Sequence, residues 1–128
     1  MSAVHGTYYE VKEVNTADSY ARVVRTPHAF PTLEVMLDAH RDLARLFAEW
    51  RVDGLLLDVR QARGRNDSAF ESALRQFRVD CAERFERVAI LLASIIGVMH
   101  AQRLNSGRGF EHVHAFKDEA EALAYLRG

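Results

Sequence analysis

A chain of 128 residues, 48% hydrophobic and 27% charged, carries enough apolar material for one core, so residues 1–128 read as a single domain rather than a disordered chain. The net charge of −1 at pH 7 lacks the basic excess that nucleic-acid binding leaves on a composition, which argues against a dedicated nucleic-acid binder. A lone cysteine, Cys81, excludes an intrachain disulfide, and the most apolar stretch, 88–99, falls short of the about 20 residues a membrane-spanning helix needs. Met1 to Tyr8 has neither the basic start nor the apolar run of a signal peptide, so the expected location is the cytoplasm.

Residues 8–14 alternate, Tyr9 and Val11 against Glu10 and Lys12, and residues 20–24 offer Ala21, Val23 and Val24. The turn chemistry of Asn15-Thr16-Ala17-Asp18-Ser19 between them predicts an antiparallel pair at one edge of a sheet. Pro27 and Pro31 then punctuate the chain, each biasing its predecessor to extended geometry. Thr32 is placed to cap a helix, with Glu34 favourable in its first turn. Leu33, Met36, Leu37, His40, Leu43, Ala44, Phe47 and Trp50 recur every three or four residues and predict one apolar stripe. Arg51-Val52-Asp53-Gly54 breaks that period.

The continuous apolar run Leu55-Leu56-Leu57 suits a strand covered on both faces, as parallel sheets require. After it comes a polar loop, residues 60–67, holding Arg60, Arg63 and Arg65. Ser68 and Glu71 then spell S-x-x-E, a capping box that predicts Ser68 as the helix N-cap. Phe70, Ala73, Leu74, Phe77, Cys81 and Phe85 fall on one face of this second helix. Residues 88–93 read as a second covered strand. Ser94 is set to cap a third helix containing Ile95, Ile96, Val98, Met99 and Leu104, ending near Asn105-Ser106-Gly107. Residues 111–116 make a last, more polar strand, and Asp118 with Glu121 begins a closing helix packed through Ala120, Leu123, Ala124 and Tyr125. The expected order is β-β-α-β-α-β-α-β-α, an α/β fold with a small, mainly parallel mixed sheet and right-handed crossovers.

This order, with Gly54-Leu55-Leu56-Leu57-Asp58-Val59, Arg87-Val88-Ala89-Ile90-Leu91 and the ending from His114 to Leu126 (F-x-D-E-x-E-A-x-x-aromatic-L), resembles the STAS/SpoIIAA-like family, relatives of the anti-sigma factor antagonists. The resemblance covers nearly the whole chain. It implies a non-enzymatic regulatory or protein-interaction domain, with a kinase or anti-sigma factor as the kind of partner. Signalling members carry a D-S-[ST]-G-like string whose second hydroxyl residue is phosphorylated. Here the nearest string is Asp67-Ser68-Ala69-Phe70, so Ala69 stands at the phosphoacceptor position and Phe70 replaces the glycine. The familiar switch is therefore expected to be absent. The same resemblance extends to Sec14-like lipid carriers, which leaves small-ligand or lipid binding as the alternative; a chain of this length lacks the helical lid such carriers use.

The candidate surface is the loop after the central strand. Arg60, Arg63 and Arg65 can hold a partner's phosphate or carboxylate at a helix N-terminus, with Asp67 and Ser68 beside them, or can simply be solvated. Ser68 reads first as a cap and second as a displaced phosphorylation site that the helix dipole would favour. Ile95 and Ile96 offer an apolar lip beside the loop, suited to a protein or a lipid. His112 and His114, two apart on a strand, are expected on one face, and His40 on the apolar stripe reads as a hydrogen-bonded core histidine. No HExxH, CxxC, GxGxxG, P-loop or G-x-S-x-G string occurs, so no metal, nucleotide, cofactor or catalytic residue is expected. Cys81 reads as packing. Edge strands in so small a sheet make a homodimer plausible.

Overall fold

The computed structural model of the chain describes residues 4–62, 67–105 and 107–128. These form strands β1 (Val4–His5), β2 (Tyr9–Asn15), β3 (Tyr20–Arg25), β4 (Gly54–Asp58), β5 (Arg87–Leu91) and β6 (Val113–Phe116), with helices α1 (Leu33–Glu49), α2 (Ser68–Arg84), α3 (Ile95–Leu104) and α4 (Glu119–Arg127). One sheet holds the six strands in sequence order. β1, β2 and β3 pair antiparallel, and β3 to β6 pair parallel. The α/β class, the mainly parallel sheet and the alternation of elements are as the sequence predicts.

Register decides which side chains meet which helices. Leu55 and Leu57 of β4 sit beside Val88 and Ile90 of β5, and with Val11, Ala21 and Val23 they pack against Leu43 and Phe47 of α1 and Phe77, Cys81 and Ala82 of α2. Leu56, Ala89 and Leu91 point the other way, onto Ala122 and Leu126 of α4. Both faces of β4 are buried, which is why its sequence runs apolar without alternation. A third cluster, Phe30, Met36 and Phe70, closes the top of α1 and α2.

Several local expectations are corrected. β1 is an extra edge strand of two residues, too short for alternation to announce. The last strand is shorter than 111–116, because Val113 N–H donates to Phe110 C=O across a turn that takes up residues 110–112. His112 and His114 consequently do not share a face: the His112 Nε2 lies 2.6 Å from Ala82 O on α2, while the His114 ring packs at 4.8 Å on Tyr125 of α4. Leu37 also leaves the buried stripe of α1 and is exposed, since α1 buries Met36, His40, Leu43 and Phe47 alone.

Candidate functional site

Because each of the four helices comes directly after a strand of the sheet, all four begin at one edge, the carboxyl ends of β3 to β6. The edge is knitted beyond the strands: Val59 N–H donates to Leu91 C=O and Leu92 N–H to Phe116 C=O. Thr32 caps α1 by accepting from Val35 N, Ser94 caps α3 by accepting from Gly97 N, and Asp118 caps α4 by accepting from Ala120 N and Glu121 N. At α2 the expectation shifts by one residue. Asp67, not Ser68, is the cap; its carboxylate accepts from Ala69 N at 3.1 Å. Ser68 is the first helical residue, exposed, with its hydroxyl not spent on the cap. A carboxylate at this position also meets the helix dipole with the right sign, which favours it over a hydroxyl one residue on.

Arg60 is held against Asp58 while its side chain stays partly in solvent. Asp58, the buried last residue of β4, accepts Arg60 Nε at 3.0 Å and Nη2 at 2.7 Å, a two-point grip, and takes the Arg60 backbone N–H as well. Arg60 Nη2 also reaches Glu119 at 3.2 Å, and Arg22 of β3 binds the same Glu119 oxygen at 2.8 Å and Asp58 at 3.5 Å. Burial pushes the Asp58 carboxyl up, yet the hydrogen bonds and charge of Arg60, with Arg22 behind them, hold it below the usual carboxylate range. Two arginines and two carboxylates thus close on one another and pin the start of α4 to the central strands. The sequence singles out Arg60 but carries no local sign of Arg22 or Glu119, which join it from opposite ends of the chain. Arg63 and Arg65 lie outside the described residues.

Ile95, Ile96 and Met99 are 59%, 80% and 56% exposed, and Ala101 is the one buried residue of α3. Their spacing places the three within the first turns of a helix with no acidic residue in its first turn. Burying what they still expose would release on the order of 1–2 kcal/mol each, which a free surface forfeits.

His40 and Cys81 lie in the core. His40 is buried, stacks on Phe77 at 4.1 Å and pairs through Nε2 with the Tyr9 hydroxyl at 2.9 Å. Burial, with the Arg25 charge adding to it, pushes its pKa down to about 4, so it is neutral at pH 7. Cys81 is sealed in the main core and burial pushes its thiol up, away from a nucleophile's range. Among the described residues no three His, Cys, Asp or Glu side chains converge as a metal would need. Two clefts are lined by residues other than those of the lip. One of about 380 Å³ opens between β2 and α1, walled by Tyr8, Tyr9, Val11, Val35, Leu43 and Leu46. Another, of about 260 Å³, lies between α1 and α2 over His40 and Phe77. None of the described helices is long and apolar enough to cross a membrane. No family model, curated protein or solved structure matches this chain.

Proposed function

We propose that this chain is a non-enzymatic regulatory domain of the STAS/SpoIIAA-like kind, which docks a partner protein on the edge where its helices begin and works without the usual phosphoacceptor. The observation that carries the reading is the exposed triad Ile95, Ile96 and Met99 on α3, the helix that follows the carboxyl end of β5. In an open α/β sheet this edge is where ligands and partners bind. Ala69 at the second position of the helix supplies no hydroxyl, so docking is governed by occupancy of the lip and the arginine loop rather than by phosphate at that residue. A cytoplasmic kinase or anti-sigma factor is the partner class that the resemblance suggests.

The test is capture with the full chain, wild type beside an Ile95→Ser/Ile96→Ser variant and an Arg63→Ala/Arg65→Ala variant. A protein retained in one-to-one ratio by the wild type and lost by the lip variant is the expected result. Equal retention by all three sinks the reading. A second reading, a small apolar or lipid-like ligand, is favoured by the apolar cleft between β2 and α1. It requires a small molecule that stays bound in native mass spectrometry and is lost when Leu43 is replaced by Trp.

A further inference from the structure

Among the described residues Arg25 and Arg78 are buried and Arg84 is half-buried, and the guanidinium groups of Arg25 and Arg84 are answered. Arg25, 4% exposed, donates from Nη1 to Tyr8 O at 3.1 Å and Thr26 O at 2.8 Å, and its guanidinium lies 4.1 Å from the centre of the Phe30 ring. Arg84 donates to the carbonyls of Phe47, Trp50 and Val52, which end α1 and lead into β4. Carbonyl dipoles and a ring face therefore stand where counter-charges would.

Arg78 is different. It is 7% exposed on the inward side of α2, and it donates from Nη1 to Asn105 Oδ1 at 3.2 Å. Among the described residues its Nε has no acceptor, and neither has the Nδ2 of Asn105, itself 7% exposed. The groups that face it are neutral: the Cys81 thiol and the Tyr9 phenol are both pushed up by burial. One turn back on α2, the exposed Arg75 is anchored on Leu104 O at 2.7 Å and lies over the Phe110 ring at 5.2 Å. Two sealed donors thus lie on hydrogen-bonded neighbours, one on α2 and one at the end of α3, and no described carboxylate pairs with the guanidinium. A water molecule would satisfy the donors but leave the charge, and a buried charge without a counter-charge is strongly destabilising.

We infer that Arg78 and Asn105 form a binding site for a small inorganic anion of the size of chloride or nitrate. Both orphan donors are closed off from solvent, and a compact anion would gain charge-assisted bonds from the guanidinium and a further donor from the amide. Binding ties α2 to the connection between α3 and β6. The site is independent of the docking edge, so its failure would leave the proposed function untouched.

The experiment is thermal unfolding of the full chain in about 0.2 M sodium chloride, sodium nitrate or sodium gluconate, wild type beside Arg78→Met. Wild type is expected to melt higher by about 4 °C in chloride or nitrate than in gluconate, whose bulk excludes it. Arg78→Met keeps the length and removes charge and donors, so its melting point should differ by less than about 1 °C among the salts. The same salt difference in both proteins, or none in wild type, overturns the site. Should Arg78→Met fail to fold, chloride NMR of the wild type decides: excess line broadening that nitrate competes away supports the site, and its absence overturns it.

Discussion

Asp67 and Ser68 stand side by side at the start of α2, and only one of them holds the helix. Because the Asp67 carboxylate takes the Ala69 N–H, Asp67→Ala should cost about 1 kcal/mol, while Ser68→Ala, at an exposed first helical position, should stay within about 0.5 kcal/mol. Urea denaturation of the two variants separates them; equal losses would return the cap to Ser68. His40 makes a second single-residue prediction. Its folded pKa, near 4, lies below the ordinary histidine value of about 6.5, so between these values the unfolded chain binds the extra proton. The stability it supports is complete above about pH 6.5 and drains away as pH falls toward 4. From pH 7 to pH 5 the loss should be about 2 kcal/mol, and His40→Gln, which can still accept from Tyr9, should flatten it. A glutamine variant with the wild-type slope would assign the effect elsewhere.

At the level of elements, α3 is the helix least committed to the core. It buries Ala101, while α1 buries four residues and α2 five. The Ile95→Ser/Ile96→Ser variant should therefore melt within about 2 °C of wild type, since surface changes away from packed or capped positions cost little. A large drop would mean that the lip packs on something within the chain. The elements themselves are legible because their signals are local: a hydroxyl or carboxylate before a periodic run locates the caps at Thr32, Ser94 and Asp118, and Leu55-Leu56-Leu57 announces a doubly covered strand. The cap at Asp67 is masked in the sequence because Ser68 completes the S-x-x-E string, and both residue types cap. The features that stay hidden depend on distance along the chain. Arg22, Asp58, Arg60 and Glu119 are assembled by the register of β3 on β4 and the return of α4, and the exposure of Ile95 and Ile96 depends on which side of so short a helix finds the sheet. Arg78 reads in sequence as one more surface arginine; only the fold turns it inward.

Across the whole molecule, α1 and α2 cover one face of the sheet while α4 packs on the other. Removing residues 117–128 would uncover Leu56, Ala89 and Leu91, each 0% exposed in the intact chain, and would strip Glu119 from Arg22 and Arg60. The shortened protein should be recovered as aggregate, or as a compact state that binds a hydrophobic dye, rather than as a cooperatively melting monomer. Its recovery as a soluble monomer with an unchanged melting point would refute that division of the core. The strands lie in the sheet in the order in which they occur in the chain, and that has a consequence for the protein as it is made. A ribosome can deliver β2 through β5, with α1 and α2 already seated, before the helix that shields the opposite face exists. At about 5–20 residues per second the stretch from Leu91 to Arg127 takes roughly 2–7 s to appear, and for that interval a nascent chain presents bare leucines to its surroundings.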